Sequence, residues 1–239
     1  MFMVLLAVDT ASRAGSLAVL NDGRLAGVIS TASDEPYSSR LFRQLDFLLH
    51  ELQIKISDFD VFAVNAGPGS FTGLRVGLAA VKGWAEVFSK PIVAVSGLEA
   101  LAAQASAALR GGLIAPVLDA HRGQIYAALY RFDDSRLVVE EPEQVCTAQE
   151  FLARIGTRNG NEQVRFVSTC PAVLQPALDS WTAAPVRIAR AVEPASPVFA
   201  PTIGQLAFER AARGEVTDSL RLDANYVRRS DAELLWKEP

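Results

Sequence analysis

The stretch that leaves this chain least freedom is Asn65-Ala66-Gly67-Pro68-Gly69-Ser70-Phe71-Thr72-Gly73-Leu74-Arg75-Val76-Gly77-Leu78-Ala79-Ala80. It follows the apolar run Val61 to Val64, which reads as a short buried strand, and leads into helical periodicity that lasts to about Phe88. A strand, a tight corner and a helix must therefore succeed one another within a few residues. Gly67 and Gly69 flank Pro68, which fixes φ and donates no hydrogen bond, so the corner is made of residues that allow close backbone approach. Ser70 or Thr72 can cap the helix that follows.

That helix has three faces. Leu74, Leu78, Val81, Ala85 and Phe88 fall at core spacing, and Arg75, Lys82 and Glu86 form a polar stripe. Gly73, Gly77 and Ala80 form a row without bulk, although each interior glycine costs ~1 kcal/mol against alanine. Such a row is expected to receive another helix. Three readings stay open for the glycine loop Gly67, Pro68, Gly69, Ser70, Phe71 and Thr72: a packing turn, a phosphate cradle at a helix start, or a docking point. The pattern is neither a P-loop nor G-x-G-x-x-G.

Elsewhere the chain repeats itself. Val4 to Val8, Gly15 to Leu20 and Leu25 to Thr31 read as three strands, the last two joined by Asn21-Asp22-Gly23, a strong hairpin signal. Pro36 opens a helix with Leu41, Leu45, Leu48 and Leu52 on one stripe and Phe47 among polar residues opposite. After the motif helix come a strand at Pro91 to Val95 and a helix at Leu98 to Leu109, ended by Gly111-Gly112. Leu113 to Leu118, Gln124 to Phe132 and Arg136 to Glu140 then restate the opening three strands. Asp9, Arg13, Gly15 and Asp22 have counterparts in Asp119, Arg122, Gly123 and Asp133. The expected plan is α/β, a duplicated β-β-β-α-β-α unit in two subdomains. Residues 1–108, completed by a C-terminal helix at 202–239, form one, and 109–201 a smaller, divergent second. After Glu140 helices are expected at Ala148 to Ile155, Ala172 to Leu178 and Thr202 to Arg213.

Chemistry is harder to find. Asp9 and Asp119 each end a strand before a small-residue turn, so they are candidate remnants of a nucleotide cleft. Acceptance of hydrogen bonds from the turn is the preferred reading, because Asp9-Thr10-Ala11-Ser12 lacks a glycine for phosphate approach. No nucleophile and base pair stands out. A net charge of -4 and a pI near 5.3 provide no basic footprint for gripping nucleic acid alone. Cys146 and Cys170 form no C-x-x-C pair, which fits a reducing cytoplasm, and the apolar start, Met1 to Val8, is broken by Asp9 and reads as a strand rather than an export signal.

The G-P-G-S-F-T-G-L-R-x-G core within Asn65 to Lys82 resembles the bacterial TsaB (YeaZ-like) proteins of tRNA threonylcarbamoyladenosine synthesis, relatives of the catalytic TsaD/Kae1 proteins. The resemblance runs from Met3 to about Leu101, returns at Pro116 to Tyr130 and touches Asn225 to Arg229. It implies the actin, sugar-kinase and heat-shock ATPase type of fold, and a non-catalytic scaffold that binds a TsaD-like catalytic subunit and a TsaE-like ATPase and meets tRNA only indirectly. No cofactor is then expected on the isolated chain, with ATP or ADP only in the complex. The catalytic relatives carry a His-x-x-x-His metal pair where this chain has Gly97 and Leu101, so no metal site is expected. Partner contact is expected through the two long helices at Leu41, Leu45, Phe47, Leu48, Gly73, Arg75, Gly77 and Ala80, a surface that can also support a homodimer. The chain departs from the family at Tyr37-Ser38, where a histidine often precedes the serine. The rival function is an ATP-dependent phosphotransferase or ATPase using Asp9 and Asp119.

Overall fold

The structure, a computed structural model, describes residues 2–12, 14–106, 112–133, 136–158, 163–182 and 187–228. Contacts divide the chain into two compact units, Met1–Ala100 with Pro197–Tyr226, and Leu101–Ser196 with the segment from Val227.

In unit 1, β1 (Val4–Asp9), β2 (Ser16–Asn21) and β3 (Arg24–Ser30) form an antiparallel meander. Asp22 and Gly23 both take positive φ, 47° and 73°, as a primed two-residue hairpin turn requires. Helix α1 (Tyr37–Leu52) leads to β4 (Val61–Gly67), then α2 (Phe71–Phe88), β5 (Ile92–Ser96) and α3 (Gly97–Ser106). The sheet order is β3-β2-β1-β4-β5, with β1, β4 and β5 parallel. Leu41, Leu45 and Leu48 of α1 and Leu74, Leu78 and Val81 of α2 share one core with Leu6, Val8, Leu17, Val19, Phe62 and Val64 of the sheet.

Unit 2 repeats this plan. β6 (Leu113–Asp119), β7 (Ile125–Asp133) and β8 (Arg136–Cys146) form the meander, and α4 (Ala148–Gly156) leads to β9 (Gln163–Ser168). A short α5 (Gln175–Asp179) precedes β10 (Arg187–Pro194), and the order is β10-β9-β6-β7-β8. Residues at like positions therefore end like strands: Asp9 ends β1 and Asp119 ends β6. The duplicated β-β-β-α-β-α plan holds, and β9 and β10 supply the two strands that sequence reading left out of the divergent part.

Helix α6 (Ala200–Ala212) packs on unit 1, where an added Cβ at Gly204 would meet Leu20 Cδ1 at 2.2 Å. The helix expected at Thr202 to Arg213 lies almost wholly in α6, while the described part of the 202–239 segment leaves the helix after Ala212. Gly214, at φ 76°, donates to Ala211 O at 2.9 Å, and Glu215 donates to Arg210 O at 2.9 Å, which closes the last turn and sends the chain away. Thr217 then bridges to Ile92, and Asn225 N–H donates to Ala66 O at 2.7 Å, so the segment after α6 is a strap over unit 1. Residues 229–239 of the expected helix, Arg229, the end of α3 to Leu109, Gly111 and Arg13 lie outside the described residues.

Candidate functional site

The ends of the parallel strands carry one recurring device. Asp9 Oδ1 accepts from Ala11 N–H at 3.0 Å, and Asn65 Oδ1 from Gly67 N–H at 2.9 Å. Asp119 Oδ1 accepts from His121 N–H at 2.7 Å, and Ser168 Oγ from Cys170 N–H at 3.0 Å. Each polar side chain turns the chain off its strand by satisfying the amide two residues on. Asp9 and Asp119 thus both do the turn-holding job preferred on sequence grounds, each within its own unit.

Asp9 is fully buried, and the Asn65 side-chain amide donates to its Oδ1 at 2.9 Å. Burial pushes the Asp9 carboxyl up to about 6, although the Ala11 and Asn65 hydrogen bonds favour its charged form. The nearby Tyr37 ring carries the Arg40 guanidinium 3.8 Å above it, and burial pushes its hydroxyl up to about 12. The raised folded value of Asp9, against 3.8 unfolded, means that the folded state holds this proton more tightly. Its stabilising contribution is full below the unfolded value and is lost as pH rises through about 6, by on the order of 3 kcal/mol. Melting scans from pH 4 to pH 8 should therefore show wild type losing stability relative to Asp9→Asn as pH rises. Parallel curves for the two proteins would contradict this.

The glycine motif packs inward. Ser70 caps α2, its Oγ accepting from Gly73 N–H at 3.3 Å, and Ser70 N–H donates to Ala11 O at 2.8 Å. Thr10 Oγ1 donates to Gly73 O at 2.7 Å. An added Cβ would meet Ala11 O at 2.7 Å from Gly69, Thr10 O at 2.0 Å from Gly73, and Thr10 Oγ1 at 2.4 Å from Gly77. The groove expected to receive a helix is therefore filled by the Asp9-to-Ser12 turn of the same unit. Gly67, at φ 117°, lies under the strap, with a Cβ there 2.7 Å from Asn225 O.

These contacts correct the expected docking surface. Gly73 and Gly77 are closed off by Thr10, and Leu41, Leu45 and Leu48 are 0%, 5% and 4% exposed because their stripe covers the sheet. Ala80 is half-buried against the same core, while Arg75 is exposed. Phe47 is exposed, five residues after Phe42 and so ~140° around α1 from it.

Sequence reading missed the apolar group that α1 and α2 do present outward. Phe42 is 57% exposed and Val87 74%, and between them Trp84 meets the Phe42 ring edge-on at 6.1 Å and 87°. An added Cβ at Gly83 would meet nothing within 4 Å, so the helix backbone there is open to close approach. The available signal was Phe42 and Val87, both large and both off the core stripes. Gly97 packs against Asn65 and Leu101 is fully buried, and neither residue type offers a metal ligand. Among the described residues no cluster of His, Cys, Asp and Glu could hold a metal, and no helix is long and apolar enough to cross a membrane.

Residues 19–175 match the family model described as TsaD: tRNA N6-adenosine threonylcarbamoyltransferase. The chain is 28% identical, over 99% of both proteins, to the tRNA threonylcarbamoyladenosine biosynthesis protein TsaB of Bacillus subtilis. Among solved structures it is similar to YeaZ from Pseudomonas aeruginosa, with a TM-score of 0.74 at 24% identity, covering 94% of this chain and 99% of that one. An inorganic polyphosphate/ATP-glucomannokinase from Arthrobacter shares the fold at a TM-score of 0.50 and 13% identity, covering 88% of this chain and 99% of that one.

Proposed function

The chain belongs to the family described as TsaD, tRNA N6-adenosine threonylcarbamoyltransferase, and we propose from its full-length likeness to a TsaB protein that it is the TsaB-type subunit of a tRNA threonylcarbamoyladenosine-synthesising complex. In this reading it does no covalent chemistry. It holds a TsaD-like catalytic subunit, in an assembly that includes a TsaE-like ATPase, for transfer of threonylcarbamoyl to N6 of the adenosine beside the anticodon.

One observation carries the reading: two long helices of unit 1 bury their leucine stripes yet expose Phe42 and Val87 around the Trp84 edge. Exposed aromatic and branched side chains beside an open helix backbone are the material of a helix-pair contact. A relative with the same helix pair would present a matching surface, which gives a four-helix contact, and without that partner a second copy can take its place.

The phosphotransferase reading finds less support. Asp9 is buried with Oδ1 committed to Ala11 and Asn65, and the glycine loop that a phosphate would approach is occupied at Gly69 by Ala11, with Thr10 filling the space at Gly73 and Gly77 of the helix that follows. The deciding experiment is reconstitution of the tRNA modification with and without this chain, accompanied by magnesium-ATP titration of the chain alone. Tight nucleotide binding with turnover by the isolated chain would favour the phosphotransferase.

A further inference from the structure

Phe71, Arg75 and Tyr226 form a stacked group on the surface of unit 1. Arg75 Cζ lies 3.9 Å above the Phe71 ring centroid, and the Phe71 and Tyr226 rings lie 5.0 Å apart at 36°. Arg75 Nε donates to Tyr226 Oη at 3.4 Å. Phe71 and Arg75 sit one turn apart at the start of α2, and Tyr226 comes from the strap, whose neighbouring residue Asn225 is pinned to Ala66 O. Phe71 is 37% exposed, Tyr226 43%, and Arg75 is exposed with no carboxylate partner among the described residues.

Exposed rings beside an unneutralised guanidinium are the combination that holds single-stranded nucleic acid, because any base can stack on the ring while the cation meets a phosphate. The group read above as the helix-docking face lies elsewhere: Val87 is twelve residues from Arg75, about 18 Å along α2 and ~120° around it. We propose that Phe71, Arg75 and Tyr226 contact an unpaired nucleotide of tRNA in the assembled complex, an inference that rests on the functional reading above. It departs from the expectation that this chain meets tRNA only indirectly and from the reading of its net charge of -4 as no footprint for gripping nucleic acid alone. Net charge averages over a whole surface, and a single stacking group needs no basic face.

The test is binding of unmodified substrate tRNA to the purified complex with the TsaD-like subunit, across a salt series, with complex affinity measured separately without tRNA. Tyr226→Ala is expected to weaken tRNA binding about tenfold, and Tyr226→Phe by less than about twofold because the ring remains. Arg75→Gln, which leaves the Phe71 and Tyr226 rings in place, should lower the salt slope by about one phosphate contact. Assembly of the complex should change by less than about twofold in all three. Unchanged tRNA affinity and slope in an intact complex would overturn the proposal. So would a loss of partner binding that tracks the loss of tRNA binding, which would make the group a protein contact. A wild-type chain that forms no complex would remove the functional reading itself.

Discussion

Gly73→Ala is expected to destabilise unit 1 by about 3 kcal/mol or more, seen as a fall of roughly 6 to 12 °C in melting temperature. The added methyl would stand 2.0 Å from Thr10 O, a backbone atom fixed by the strand before it, and the Thr10 hydroxyl bond to Gly73 O would be lost as the turn is pushed away. Gly77→Leu should act in the same direction for the same reason, since its Cβ alone meets Thr10 Oγ1 at 2.4 Å. Gly83→Ala, in the same helix, is expected to raise stability by about 0.5 to 1 kcal/mol, because nothing lies within 4 Å of its added Cβ and alanine is the better helix former. Thermal melting of the variants side by side decides the point. If Gly73→Ala melts with wild type, the Thr10 turn is not seated in the glycine row.

Phe42→Asp is expected to weaken binding of the TsaD-like partner by about 30-fold or more, the loss typical of a buried aromatic anchor in an interface. A carboxylate there would enter a desolvated contact without a counter-charge, whereas in the free chain the position is 57% exposed and tolerates it. The cost to the fold is limited to the edge-on contact with Trp84, about 1 kcal/mol. Val87→Asp, at 74% exposure, should lower affinity in the same way with even less effect on melting. Titration of the purified partner against both variants gives the result. Wild-type affinity for both would mean that α1 and α2 do not form the docking face.

Much of unit 1 was legible because its signals are local. The Asn21-Asp22-Gly23 turn, the leucine spacing of α1 and the Ser70 cap each depend on a few neighbouring residues. The purpose of the glycine row was not legible. A stripe of small residues announces a close approach without saying what approaches, and here it is Thr10, 63 residues earlier in the chain. The same limit hid the exposed apolar group proposed as the docking surface, since the leucines that drew attention are the ones the sheet covers.

In unit 2, β9 (Q-V-R-F-V-S) buries Val164 and Phe166 but carries Arg165 between them. β10 carries two arginines and ends in a proline, so neither strand stands out by composition. The turn-holding role of Asp9 and Asp119 was readable from residue type and position, but Asn65, whose amide donates to Asp9, lies on a different strand.

The most direct measurement is a reconstituted modification assay. Unmodified substrate tRNA, a threonylcarbamoyl donor and ATP are supplied with the TsaD-like and TsaE-like proteins of the same organism, with and without this chain. Threonylcarbamoyladenosine is then measured in the tRNA. Product should form when the chain is present and fall to background when it is omitted, with Phe42→Asp reducing it in step with lost partner binding. Equal product formation with and without the chain would contradict the account.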